Sequence, residues 1–194
     1  MLRIILIRPG STDYDQQERI QGALDIPLNA QGVSEVARIT EELRDKEIET
    51  MYAPACEPAQ QTAEAIAESL NLRLRRLDRM QNLDHGLWQG MLVSEVRHKQ
   101  PKVYRQWQEQ PENVCPPEGE MLTHAEQRVH AAMAKLLKRH KDGMIAVVLS
   151  EPLATLVHRF MKHSELGDLW KVINSHGCWE ILEVEPAKSL ALSS

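Results

Sequence analysis

The sequence predicts an α/β fold, a three-layer sandwich in which helices flank a mostly parallel central sheet. The chain opens on an apolar, β-branched run at Leu2–Ile7, and Pro9-Gly10 follows it. That pattern is typical of a strand buried on both faces. Short apolar runs then alternate with amphipathic segments along the chain, which indicates a parallel sheet with helical crossovers. Ligands are therefore expected at the carboxyl ends of the strands.

Periodicity and capping residues place the helices. Asn29 can cap a helix whose apolar face ends at Leu43, and a second amphipathic helix is predicted over Ala59–Leu70. Thr123 and Glu126 have the spacing of a capping box, which predicts the start of a third helix.

Further strands are predicted where apolar or alternating runs are bounded by turn residues. Ile48–Ala53, Leu72–Arg76 and Met144–Leu149 are the internal ones. Near the end, Trp170–Asn174 and Cys178–Val184 are predicted to be two strands that Ser175-His176-Gly177 joins as a hairpin.

Length and composition favour one domain. With 194 residues, we expect a single domain over residues 1–185 and a short tail at 186–194. A net charge of -5 gives no overall positive potential that would attract nucleic acid. No apolar run reaches membrane-spanning length. Three widely spaced cysteines suit a reducing cytoplasm. One basic cluster is interrupted by leucines and Asp78, and we interpret it as a solvated strand face: Arg73, Arg75, Arg76 and Arg79.

Motifs follow the first predicted strand. Residues 6–12 have the sequence Leu-Ile-Arg-Pro-Gly-Ser-Thr, and residues 21–28 have Gln-Gly-Ala-Leu-Asp-Ile-Pro-Leu, followed by Gly32. Together these stretches resemble the signature of the histidine phosphatase (phosphoglycerate mutase-like) superfamily. Its members typically carry Arg-His-Gly-Glu-Thr at the first motif, so Arg8, Gly10 and Thr12 match. Pro9 stands where the resemblance places the nucleophilic histidine.

Three later segments resemble family motifs in the same way. Ala59–Ala63 follows Pro58, which occupies the position of a phosphate-binding arginine. Asn82 occupies the position of the general acid, and Glu151 occupies that of the second histidine. The resemblance therefore implies a degenerate pocket formed by Arg8, Pro9, Asp15, Pro58, Asn82 and Glu151.

These replacements predict a catalytically inactive protein with no catalytic residue and no cofactor. Phosphoryl transfer needs a nucleophile and cations around the phosphoryl oxygens, and proline supplies neither. Asn82 has no titratable proton to give to a leaving oxygen. The first hypothesis is thus a pseudoenzyme that binds, scaffolds or regulates an unknown protein partner or small ligand. The resemblance also favours a homodimer.

The alternative is a phosphohydrolase or a phosphoglycerate mutase-type enzyme whose chemistry is remodelled and does not use the family histidines. Under this alternative, His85 and His176 lie near the pocket mouth and Asp84 replaces the missing acid. Arg8 could still contact an anion. Against that, we expect Glu151 to pair with Arg8 and to be stabilised by the helix N-terminus that follows it.

Four acidic residues raise the question of a cation site. Asp13, Asp15, Asp84 and Glu151 could supply oxygen ligands if they converged. Their spacing matches no metal-binding motif, so the sequence predicts solvated loop carboxylates and no metal.

Overall fold

The computed structural model describes residues 1–173 and 175–184, and a five-stranded sheet lies at its centre. The strands are β1 (Arg3–Arg8), β2 (Thr50–Ala53), β3 (Leu74–Arg76), β4 (Met144–Val148) and β5 (Cys178–Glu183). Their order is β3-β2-β4-β1-β5. The pairs among β1 to β4 are parallel, and β5 runs antiparallel to β1. The predicted mostly parallel sheet is confirmed.

Helices connect these strands. They are α1 (Asp13–Gln16), α2 (Ala30–Leu43), α3 (Ala59–Ser69), α4 (Val93–Lys99), α5 (Pro101–Glu109), α6 (Leu122–Arg139), α7 (Leu153–Lys162) and α8 (Leu169–Val172). Asn29 caps α2 as predicted, because its side chain accepts the N–H of Gly32 at 2.8 Å. The predicted capping box at Thr123 is wrong, since α6 already begins at Leu122.

The side chains of β1 show why the sheet is covered on both faces. Successive residues of a strand point to opposite faces. Ile4 and Leu6 belong to a core cluster shared with α6 and α7, whereas Ile5 and Ile7 belong to a cluster shared with α2 and α3. All four isoleucine and leucine side chains are inaccessible to solvent. The predicted three-layer sandwich is therefore confirmed.

A close approach of two glycines fixes the loop that follows β1. A Cβ added at Gly10 would lie 2.5 Å from the carbonyl oxygen of Gly32, and one at Gly32 would lie 2.1 Å from that of Ser11. Neither clash can be relieved by a side-chain movement, because both partners are backbone atoms. The two glycines thus let the first turn of α2 pack directly against this loop.

The predicted C-terminal hairpin is wrong. Trp170 lies in α8, where Asp168 caps the helix by accepting the N–H of Trp170 at 3.0 Å, and β5 pairs with β1 instead. The Trp170 indole donates to the carbonyl of Tyr104 and its ring stacks on the Tyr104 ring. A short apolar run has no periodicity that separates strand from helix, and this packing decides for helix. Asn174 and the predicted tail at 186–194 lie outside the described residues.

No helix within residues 1–173 and 175–184 is long and apolar enough to cross a bilayer.

His85 lies in a buried aromatic cluster and not at the pocket mouth, which corrects the sequence-based expectation. Its side chain is 1% exposed and contacts the rings of Trp88 and Trp107. Neither ring nitrogen has a hydrogen-bond partner among the described residues. Burial lowers the pKa of His85 to about 4, because the imidazolium form would lose its hydration there.

This burial makes the stability depend on pH. The unfolded chain takes up a proton near pH 6.5, whereas the folded chain does so only near pH 4. Stability is therefore full above pH 6.5 and falls between pH 6.5 and 4, by roughly 3 kcal/mol from this residue alone. Urea unfolding at pH 7.5 and pH 5 should show a smaller loss for His85→Gln than for the wild type. His124→Gln, at an exposed position of α6, is the control. Identical pH profiles for His85→Gln and the wild type would contradict the prediction.

Candidate active site

A pocket opens at the carboxyl ends of β1 and β4, two adjacent internal strands of the sheet. Its volume is about 20 Å³, which accommodates about one water molecule. Five of the six predicted positions line it, namely Pro9, Asp15, Pro58, Asn82 and Glu151. It is also lined by Gly10, Gln21, Gly22, Ser150, Ile173, Ser175 and His176.

Arg8, the sixth position, holds the buried carboxylate of Glu151. Its Nε donates to Glu151 Oε1 at 2.6 Å and its Nη1 donates to Glu180 Oε1 at 2.9 Å. The Glu151 side chain is 0% exposed and that of Arg8 is 14% exposed. The second oxygen of Glu151 accepts the N–H of Thr155, in the first turn of α7, at 3.0 Å. Both contacts of Glu151 are those expected from the sequence.

These contacts stabilise the charged form of Arg8 and use its guanidinium as a hydrogen-bond donor to the two glutamates. Burial alone would lower the pKa of Arg8, but the attraction of Glu151 and the hydrogen bonds to both glutamates raise it above its ordinary value. One cation therefore faces two carboxylates. A phosphate that enters this pocket has to compete with Glu151 and Glu180 for the guanidinium. Glu180 could not have been found from the motifs, because it reaches Arg8 through the antiparallel pairing of β5 with β1.

Asn82 connects the two walls of the pocket. Its amide donates to the carbonyl of Gly22 at 3.1 Å and to the carbonyl of Glu151 at 2.8 Å. Its Oδ1 is buried and has no partner among the described residues. This oxygen accepts hydrogen bonds and has no proton to transfer.

Asp15 presents a carboxyl group to the pocket from α1. Thr12 donates to Asp15 Oδ2 through its backbone N–H at 2.7 Å and through its hydroxyl at 2.8 Å, in a capping box. Burial raises the pKa of Asp15 above its ordinary value, although the hydrogen bonds from Thr12 lower it in part. The group is therefore more readily protonated than an ordinary aspartate.

His176 also lines the pocket, and Glu35 orients it. Its Nδ1 lies 3.0 Å from Glu35 Oε2, which also accepts the N–H of Ser11 at 2.8 Å. Gly177 donates its N–H to the carbonyl of Pro9 at 2.6 Å, so the loop that carries His176 is fixed to the end of β1. Burial would raise the pKa of Glu35, but hydrogen bonds from the Gln31 amide, a backbone N–H and the imidazole outweigh it and lower that pKa.

Glu35 was missed in the sequence. It lies on α2, 141 residues from His176, and no motif links the two. The expected position of His176 near the pocket is confirmed. Asp84 does not line the pocket and instead accepts the N–H of Gly86 at 2.8 Å.

The four acidic residues do not converge into one cluster. Asp15 and Glu151 line the pocket, whereas Asp13 and Asp84 do not. Over the described part of the chain, no group of three or more His, Cys, Asp or Glu side chains is placed to hold a metal ion.

Comparison with known proteins now identifies the family. The sequence pattern of the histidine phosphatase superfamily (branch 1) matches residues 4–193. The chain belongs to this superfamily. The fold agrees, since the structure of YhfR from Bacillus stearothermophilus superposes with a TM-score of 0.84 at 23% identity, covering 96% of this chain and 93% of the other.

Two proteins that are similar to this chain are named for an enzymatic activity. Phosphoserine phosphatase 1 of Hydrogenobacter thermophilus is 28% identical over 192 residues, which is 99% of this chain and 91% of that protein. A probable phosphoglycerate mutase, GpmB of Salmonella arizonae, is 28% identical over 138 residues, which is 71% of this chain and 64% of that protein.

These relatives contradict the prediction that the chain is not an enzyme. A phosphatase matches over nearly its full length, and a second relative is named as a mutase. The prediction equated the loss of the family histidines with the loss of chemistry. Fold and chemistry are separable, however, because the reacting groups can come from other positions of the same scaffold.

The free energy of unfolding of two variants tests how much the Arg8–Glu151 contact stabilises the fold. Glu151→Gln removes a fully buried carboxylate that accepts from both Arg8 and α7, and breaking such a pair costs about 3 kcal/mol. Glu180→Gln removes a carboxylate that is 34% exposed, and it should cost less than about 1 kcal/mol. Urea denaturation of both variants measures the difference. Equal losses would show that the contact with Glu151 does not stabilise the fold more than the contact with Glu180.

Proposed function

We propose that the protein is a phosphohydrolase that uses water, and not a histidine at position 9, as its nucleophile. The observation that carries the proposal is the His176–Glu35 pair, which faces the same pocket as the carboxyl group of Asp15. The histidine phosphatase superfamily and its relatives support the reaction class, and these three residues supply the chemistry.

His176 is the proposed general base. Because Glu35 is held in its ionised form, it can only accept, so the hydrogen of the imidazole resides on Nδ1. In the neutral imidazole that the proposal requires, Nε2 then carries the lone pair that accepts the proton. A carboxylate that fixes the tautomer of a histidine in this way is the arrangement by which many hydrolases activate a hydroxyl group or water. The pocket has room for that water, so the proposal places the phosphate group of the ester at the pocket opening.

Asp15 is the proposed general acid. Its raised pKa lets it hold a proton that an ordinary aspartate would have lost. In the reaction, Nε2 of His176 takes a proton from water while the water oxygen bonds to phosphorus. The ester P–O bond breaks, and the leaving oxygen takes the proton of Asp15. The products are an alcohol and inorganic phosphate, and solvent returns the proton from His176 to Asp15.

Pro9 favours a hydrolase over a mutase. A mutase of this superfamily needs a group that carries the phosphoryl moiety between two sites, and the proline ring nitrogen is part of the backbone amide. Transfer directly to water requires no such carrier. Because Glu151 and Glu180 occupy Arg8, we expect slow turnover, since each missing oxyanion donor costs about a hundredfold in rate.

Steady-state turnover of a panel of phosphate monoesters tests the proposal, with and without added divalent cations. His176→Gln and Asp15→Asn should each lower kcat/KM by about a hundredfold, the usual contribution of acid–base catalysis. The double variant His176→Gln/Asp15→Asn, purified identically, controls for contaminating phosphatase. His98→Gln, an exposed histidine of α4, should leave the rate unchanged. Turnover that is absent in the wild type, or that survives in all three site variants, would overturn the proposal.

We further propose, from the sequence alone, a cytoplasmic location and a homodimer, with no binding of nucleic acid or membranes. We also propose that the chain binds a protein partner or a small ligand whose identity the sequence does not give. Analytical ultracentrifugation of the purified chain measures the oligomeric state directly.

A further inference from the structure

A second groove lies between α6 and the segment that follows β3. Its volume is about 190 Å³, and it shares no lining residue with the candidate active site. Cationic side chains dominate its walls. We call it the basic groove and define its charged residues as Arg76, Asp78, Arg79, Arg128, Lys135 and Arg139.

Two of its cations are already paired. Arg128 is 8% exposed and binds Glu120 through Nε at 2.8 Å and through Nη2 at 2.8 Å. Arg76 lies 3.2 Å from Asp78, and both are largely exposed. These contacts neutralise the positive charges of Arg128 and Arg76.

The other three cations are not neutralised. Across residues 1–173 and 175–184, no carboxylate forms an ion pair with the side chains of Arg79, Lys135 or Arg139. Three uncompensated positive charges around one concave volume produce a local positive potential in a protein whose net charge is -5. The sequence-based interpretation of this arginine cluster as a solvated strand face did not include Lys135 and Arg139, because α6 supplies them.

The rim of the basic groove is held in an unfavourable backbone conformation. Arg79 has φ +61°, in the left-handed region that an L residue with a long side chain rarely adopts. Arg128 stabilises this turn, since its Nη1 donates to the carbonyls of Arg79 at 2.9 Å and Gln81 at 2.7 Å. Buried contacts thus preorganise the backbone that carries the unpaired guanidinium. Such strain is typically retained at binding sites.

We propose that the basic groove binds a small polyphosphate, because it places three unpaired cations from two elements around one volume of ligand size. Guanidinium groups recognise phosphate oxygens through paired N–H donors, and lysine adds a point charge. A ligand with two or more linked phosphates can contact both α6 and the Arg79 turn at once. A nucleic acid is disfavoured, because the protein carries a net charge of -5. This site is independent of the proposed hydrolase, since no residue serves both.

Isothermal titration of the full chain with sodium tripolyphosphate, pyrophosphate and ATP tests the proposal. Lys135→Glu should weaken binding at least about tenfold. Lys138→Glu is the matched control, because it makes the same charge change at an exposed position of α6 outside the basic groove. It should bind as the wild type does. Arg79→Gln should weaken binding without reversing a charge. Thermal unfolding of each variant checks that the fold is retained.

The outcomes distinguish the basic groove from other sites. Binding that is lost in Lys135→Glu, kept in Lys138→Glu and kept in His176→Gln supports the proposal. Equal weakening by both lysine variants would assign the effect to overall charge and overturn it. Binding that is lost in His176→Gln and kept in Lys135→Glu would place the ligand at the candidate active site and also overturn it. If the wild type does not bind polyphosphate at about millimolar concentration, the proposal is overturned. Binding of a nucleic acid oligomer in place of polyphosphate would not rescue it.

Discussion

The parallel pairing of β1 with β4 is the constraint on which the site depends. Both strands are buried on both faces, and their register from Arg3↔Met144 to Ile7↔Val148 brings the ends of the two strands side by side. The segments after them therefore meet, although about 140 residues separate them in sequence. Helices on both faces leave this edge as the natural opening. Position at this edge explains why the pocket is formed by short loops and by the N-terminus of α7.

Glu151 determines the electrostatics of that opening. A fully buried carboxylate needs a cation and hydrogen-bond donors, and it obtains both from Arg8 and from the first turn of α7. Arg8 is thereby withdrawn from any ligand, and the pocket has more carboxylates than free cations. Chemistry at this site then depends on proton transfer by His176 and Asp15 more than on electrostatic clamping of an anion. The local inversion of charge is compatible with the superfamily, because the same scaffold can support different reacting groups.

Among the described residues, cations without an ion-pair partner lie outside this pocket, in the basic groove. Arg128 has a structural role, since it fixes the backbone from Arg79 to Asn82 through three carbonyl oxygens. That segment joins the basic groove to the pocket wall, where Asn82 donates to the carbonyl of Glu151. The two sites are thus distinct in lining but connected through one short stretch of main chain.

Strand β1, the cap of α2 by Asn29, the superfamily and the Arg8–Glu151 contact could all be predicted from the sequence, because each depends on local pattern or on motifs anchored to strand ends. Tertiary structure decided the rest. The helix at Trp170 and the burial of His85 result from aromatic packing that periodicity does not encode. The pairing of His176 with Glu35 and the basic groove both join residues that are far apart along the chain. Only the packing of helices and loops onto the sheet brings such side chains within a few ångströms of each other.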